Sequence, residues 1–186
     1  MLLGGMGLAP ALAAGNTVVV KPPEVNALSL LRLGELAQQA GLPDGCLNVV
    51  TGYGHEAGDA LVAHPLVRKV WFTGGPDSAR FVAARAAEHL KPLVLELGGK
   101  SANIFFDDVR VDDVLNGVIA GIFAAAGQTC VAGSRLLVHE RIADELVEKV
   151  AERARTIRLG DPVSEDTDMG PMSQEKIPAG VSARVG

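Results

Sequence analysis

Short runs of apolar, β-branched residues alternate with stretches of helical periodicity along most of the chain. The runs at 17–21, 47–51, 70–73 and 93–96 have the length and composition of strands, and the stretches at 27–40, 56–63 and 78–89 between them carry helical spacing. Gly41 and Pro43 supply a stop for the first of these helices. Strand, helix and strand in repetition is the signature of βα units on a parallel sheet. The pattern predicts an α/β fold with these strands side by side.

After Gly98-Gly99 a further strand is predicted at 103–106. Val111, Val114, Leu115, Val118, Ile119, Ile122, Phe123 and Ala126 then follow the i, i+3, i+4, i+7 template, which predicts a helix with one buried face. Gly127 is well suited to stop that helix and turn the chain, which puts Cys130 in a turn. A strand at 135–138 and an amphipathic helix at 142–155 precede a turn-rich tail with Gly160-Asp161-Pro162 and Gly170-Pro171. Neither an internal repeat nor a low-complexity segment occurs.

Composition narrows the function. With 186 residues and 48% of them apolar, the chain can bury a sizeable core. Its 17 Lys and Arg against 22 Asp and Glu form no basic stripe, which speaks against nucleic acid as a partner. Only Cys46 and Cys130 are present, without a Cys-x-x-Cys pair, so neither a disulfide framework nor a thiolate zinc site is expected. His55, His64, His89 and His139 show no ligand-like pairing, and no metal site is assigned. Reduced thiols point to the cytosol. Residues 1–20 carry no charge, and Ala11-Leu12-Ala13-Ala14 resembles a leader cleavage site. Without a cationic start, and with three early glycines and Pro10, the segment reads as neither a signal peptide nor a membrane span. The uncharged run at 114–126 is too short to cross a bilayer.

Ligands of open parallel sheets bind outside the carboxyl ends of the strands. Lys21, Gly52, Gly74 and Glu96 each fall at or just after such an end and would share one rim. The run from Gly52 through Tyr53, Gly54, His55, Glu56 and Ala57 to Gly58 misses the strict dinucleotide fingerprint by one residue. Phe72-Thr73-Gly74-Gly75 is a second glycine turn, at a junction where helix amides favour phosphate. Either turn alone is equally ordinary loop chemistry. Pro22-Pro23 stiffen the exit from the first strand, and Lys21 with Glu24 would bracket a ribose or form a solvated pair. Glu96 is the odd residue in Leu93-Val94-Leu95-Glu96-Leu97; buried, its pKa would rise toward that of a general base, and otherwise it reaches water. Cys130 is a candidate nucleophile in a polar loop with Gln128, Thr129 and Gly133, or else a small buried hydrophobe, a role for which Cys46 is the better candidate.

Together these segments resemble the NAD(P)-dependent aldehyde dehydrogenase superfamily. The residues that carry the resemblance are 8–16 running into Lys21-Pro22-Pro23-Glu24, then Phe72-Thr73-Gly74, then Leu95-Glu96-Leu97-Gly98-Gly99-Lys100-Ser101, then Gly127-Gln128-Thr129-Cys130, then the Met-Gly-Pro turn at 167–171. The likeness covers about residues 8–175, in order and at family spacing. It implies part of a Rossmann-like NAD(P)-binding domain over 1–98 and the first part of an α/β catalytic domain over 99–186. Cys130 would attack an aldehyde carbonyl, and Glu96 would activate the water that hydrolyses the resulting thioester to a carboxylic acid. Lys21 and Glu24 would meet the cofactor ribose, and Gly74 with Gly75 would lie near its pyrophosphate. Gly54, Gly58, Phe72, Thr73, Leu97 and Gly98 complete the expected cofactor-binding set. A carboxylate at Glu24 favours NAD, with NADP as the second choice.

Two positions depart from the family pattern: Ala79 replaces a glycine and Gly75 a serine. The resemblance also implies a chain shorter than its family at both ends, opening just after an asparagine that donates to the oxyanion and leaving that task to the Cys130 amide. The distal catalytic segment and the arm through which relatives form homo-oligomers would lie outside it, and from residue 177 the likeness is expected to end. Two other functions remain open at this point. One is a noncatalytic nucleotide-binding remnant, and the other is acyl transfer to coenzyme A, against which the presence of Glu96 counts.

Overall fold

The computed structural model describes residues 2–173 and divides into two compact units, one ending at Leu97 and the other beginning at Gly98. The first unit contains α1 (Leu2–Ala13), β1 (Val18–Val20), α2 (Leu28–Gln39), β2 (Leu47–Val49), α3 (Asp59–Ala63), β3 (Val70–Gly74), α4 (Pro76–Ala87) and β4 (Leu93–Leu97). The second contains β5 (Ala102–Phe105), α5 (Val111–Phe123), β6 (Arg135–Val138) and α6 (Glu140–Arg155). The α/β class expected from the alternating pattern is the one observed.

The strands pair in parallel, but as three separate couples: β1 with β2, β3 with β4, and β5 with β6. Each couple is a strand, a crossover helix and a second strand, the arrangement that parallel pairing demands. Their registers match Val18 to Leu47, Val70 to Leu93 and Ala102 to Arg135. The expectation of one shared rim is corrected accordingly. Lys21 and Gly52 sit beyond β1 and β2, while Gly74 and Glu96 sit on β3 and β4, giving two edges of two residues each.

Most predicted elements lie within two residues of their place. The strands expected at 17–21 and 47–51 are shorter than that, which leaves Lys21 and Thr51 in loops. Gly41 ends α2 in a left-handed conformation at φ 88°, with its own N–H donating to Gln38 O and the next, Leu42 N–H, to Ala37 O. The helix expected at 56–63 opens earlier, as a π-turn over Gly54–Gly58. One helix was not predicted at all. In α1 every residue is apolar or glycine apart from Pro10, so no periodicity could mark it. Its glycines serve close approach: a Cβ at Gly4 would lie 2.8 Å from Leu30 Cδ2, and one at Gly7 would lie 3.5 Å from the Trp71 ring. Among the described residues no helix is long and apolar enough to cross a membrane.

Charged side chains join α3 to α4 and to the turn before β4. Arg85 Nε on α4 donates to Asp59 Oδ1 on α3 at 2.9 Å, and Lys91 Nζ donates to Val62 O and His64 O, closing the carbonyl end of α3. In the second unit the core is Val111, Val118 and Leu146, with Phe105, Leu136, Val138 and Ile142 packed around them. Leu146 is fully buried on the inner face of α6. Leu146→Ala leaves a cavity between α5, α6 and the β5–β6 pair, and is expected to lower stability by about 2–5 kcal/mol. A urea unfolding curve followed by circular dichroism checks this; a midpoint equal to wild type would contradict it.

Candidate active site

The Lys21 loop is a staple between the turns that follow β1 and β2. Pro22 is buried, and the Lys21 side chain, 17% exposed, is folded back over the loop. Its ammonium donates to Pro22 O at 2.9 Å, to Gly52 O at 3.0 Å and to Glu24 Oε1 at 3.2 Å. Gly54 N donates to the same Oε1 at 2.7 Å. Gly52 stands at φ 146°, and a Cβ there would lie 2.8 Å from Ala57 Cβ, so glycine alone fits. Gly58 packs on the stem of Lys21. Tyr53 and His55, which the sequence reading gave no role, stack at 5.6 Å on the exposed side of this turn.

Glu24 is exposed, yet its carboxyl is held below the ordinary 4.5 by its own backbone amide first and the Lys21 ammonium second, with the Gly54 amide adding to them. The ionised form is therefore the one the fold favours. Its contribution is complete above the ordinary value and is lost as pH falls through the lower folded value. An NMR titration of the Gly54 amide should show a midpoint below 4.5. Glu24→Gln should remove that titration and loosen the 52–54 turn, and a midpoint above the ordinary value would contradict the arrangement.

On the β3–β4 pair, Thr73 lies opposite Glu96 and Gly74 opposite Leu97. The Phe72 ring folds over Gly74 so closely that an added Cβ would stand 2.6 Å from it. Gly75 caps α4 in an extended conformation, and an added Cβ there would meet nothing within 4 Å. The amide end of α4 is thus open, and Pro76 at its first position has no N–H to leave unpaired. Ala79 is 2% exposed, so its methyl is part of the core. Glu96 is exposed, so of the two readings open to it, a buried base or a strand-end carboxylate reaching water, the second is the one observed. The residue ends a two-stranded pair whose face is not covered at that point, and its carboxylate reaches solvent. Leu97 is half-buried and Gly98, which opens the second unit, is exposed.

Cys130 occupies a turn, as the helix pattern before it implied, and is half-buried. Cys46 has the same degree of burial, so burial does not distinguish the two thiols; the loop does. The stop expected at Gly127 comes sooner. The α5 helix ends at Phe123, and a tight turn over Ala124–Gly127 follows, with Ala125 at φ 51°, Ala126 at φ 54° and Gly127 at φ 72°. Alanine in this region costs about 1–2 kcal/mol per residue, so the surroundings must hold it there. Gln128 N and Nε2 both donate to Ala125 O at 3.1 Å. Ala132 N donates to Thr129 O, and Gly133 N donates to Gly121 O on α5 at 2.9 Å. Gly133 lies so close to Asn103 that an added Cβ would be 2.9 Å from its Cβ. Gly99 faces the Cys130 carbonyl, 3.8 Å from an added Cβ.

Because α5 runs back against its strands, this turn lies at the amino end of β6, opposite to the edge that the carboxyl-end rule selects. The tail beyond α6 is fixed by Arg158, whose Nε and Nη2 grip Asp168 at 3.0 Å each. The Asp168 carboxyl is pulled down to about 2 by the Arg158 side chain first and its backbone amide second. Ser173 N and Oγ then donate to Gln128 Oε1 at 3.1 and 2.8 Å. The expected end of the family likeness at 177 lies outside the described residues.

The family pattern described as the aldehyde dehydrogenase family matches residues 1–185, which extends past the motif span of 8–175 and overturns the expected end of likeness at 177. A hydroxyisobutyraldehyde dehydrogenase of Mycolicibacterium austroafricanum is 47% identical over 176 residues, covering 95% of this chain and 35% of that protein. A phenylacetaldehyde dehydrogenase of Pseudomonas fluorescens is likewise 47% identical, with the same coverage. Among solved structures, PnpE in complex with nicotinamide adenine dinucleotide superposes with a TM-score of 0.85 at 48% identity, over 89% of this chain and 34% of that one. Betaine aldehyde dehydrogenase of Staphylococcus aureus with NAD+ gives 0.88 at 37% identity, over 95% and 35%. The chain thus spans about a third of the length of the relatives it matches, and it belongs to the aldehyde dehydrogenase family.

Proposed function

We propose that this chain carries the nucleophile and part of the cofactor site of an enzyme that oxidises an aldehyde to a carboxylic acid with NAD. The observation that supports this most is the construction of the Cys130 turn. A half-buried thiol is held on a loop with two left-handed alanines, and backbone strain of that kind persists where the surroundings fix a reactive group.

In this reading the first unit holds the dinucleotide and the second holds the reacting sulfur. Glu24, exposed and held ionised, uses Oε1 for Lys21 and Gly54, and its carboxylate is a fitting acceptor for the hydroxyl pair of a ribose. The same negative charge would repel a 2′-phosphate, which favours NAD over NADP. The open amide end of α4 at Gly75 fits a pyrophosphate. Gly54, Gly58, Phe72, Thr73, Gly74, Leu97 and Gly98 complete the lining.

The Cys130 thiolate adds to the aldehyde carbon, and the carbonyl oxygen takes a proton to give a thiohemiacetal. The Cys130 backbone amide is the donor assigned to the oxyanion that develops on the substrate carbon joined to its sulfur. NAD held by these residues would supply the hydride acceptor that takes the thiohemiacetal to the thioester, the hydroxyl proton passing to solvent. Glu96, exposed at the end of β4, takes a proton from water as the water adds to the thioester. Collapse returns the thiol and releases the acid. Glu96 favours water over coenzyme A as acceptor, since a thiol needs no such base to the same degree.

A second reading, dinucleotide binding without turnover, draws on one observation. Val19, Trp71, Leu95, Ile104 and Leu137 all lie on strands and are all substantially exposed. Titration calorimetry with NAD separates it, giving heat of binding with no turnover.

With phenylacetaldehyde and other aldehydes, Cys130→Ser should abolish NADH formation while NAD binding persists. Glu96→Gln should leave the first-turnover burst of NADH and slow the steady state about a hundredfold or more. Loss of the burst in that variant would remove Glu96 from the hydrolytic step, and an acyl-coenzyme A product would replace water as the acceptor.

A further inference from the structure

Gln128 commits both polar atoms of its side chain to the turn that carries the thiol. Its Nε2 and its backbone N–H converge on Ala125 O, the carbonyl of the first left-handed alanine. Its Oε1 accepts from Ser173 N and Ser173 Oγ, 45 residues further along the chain. Ser173 is itself presented by a fixed segment. Arg158 grips Asp168 with Nε, Nη2 and its own amide, and Asp168 N and Met169 N donate back to Arg158 O. The strained Ala125–Ala126 pair is therefore tied through a single amide to a segment that its own ion pair and backbone bonds hold in place.

We propose that Gln128 is a positioning residue for Cys130: anchored by Ser173, its amide keeps the left-handed turn closed and so sets the depth and direction of the thiol. The sequence gives Gln128 a place in the motif without a task, and Ser173 no place at all. The inference rests on the reading of Cys130 as the nucleophile, but its first readout needs no turnover. With the tether removed, the turn relaxes toward ordinary alanine backbone and the half-buried sulfur becomes easier to reach, while its aim at a bound carbonyl is lost.

Alkylation of the full chain by iodoacetamide, followed peptide by peptide, gives separate rates for Cys130 and Cys46. Ser173→Ala and Gln128→Ala should each raise the Cys130 rate about threefold to tenfold relative to Cys46, the factor carried by a neutral hydrogen bond or two. Ser173→Thr, which keeps the hydroxyl, should react like wild type. In the same alanine variants kcat for aldehyde oxidation should fall while KM for NAD holds. An unchanged Cys130 rate overturns the proposal, and so does equal acceleration at Cys46 and Cys130, which reports general loosening. Absence of turnover in the wild-type chain would count against the proposed function and leave the alkylation comparison intact.

Discussion

A parallel pair of strands cannot be closed by a hairpin, so each of the three pairs among the described residues needs a helix to carry the backbone home. That requirement sets where everything else can be. It gives every pair two kinds of loop, those leaving the carboxyl ends of the strands and those returning from the crossover helix. In the first unit the polar groups gather on loops of the first kind, where Lys21 and Glu24 meet Gly52 and Gly54. In the second unit the thiol lies on a loop of the other kind, between α5 and β6.

This difference explains what the sequence could and could not tell. Alternating apolar runs fix strands and helices well because burial of one face is a local demand repeated every two or every 3.6 residues. The α5 stripe was legible for that reason, and so was a turn for Cys130 after it. Three things were not. The α1 helix is apolar throughout, so nothing marks a face, and its glycines mark contacts with Leu30 and Trp71 that lie far along the chain. Glu96 could be buried or reach water as far as its apolar neighbours told, and the choice turns on pairing they do not encode: among the described residues their strand has one partner. The early end of α5 hangs on two alanines with positive φ, a state that no propensity for alanine would suggest.

The candidate site was legible in its residue types and not in its bonds. Lys21 and Glu24 could be paired on paper from their spacing around two prolines, yet the part played by Gly52 O and Gly54 N appears only in three dimensions. The Gln128 to Ser173 contact is harder still to foresee. A glutamine amide can serve almost any loop, and nothing local singles out a serine 45 residues away.

The Glu24 staple has one further consequence. A single carboxylate oxygen holds both the Lys21 ammonium and the Gly54 amide, so a residue that removes this oxygen from position 24 frees the Gly54 amide and leaves the turns after β1 and β2 joined only by the Lys21 bond to Gly52 O. Change of side chain at this position is therefore bound to change in local stability. A lineage that lost the carboxylate here would need a compensating substitution to hold the loop, and the two changes would travel as a pair through its descendants.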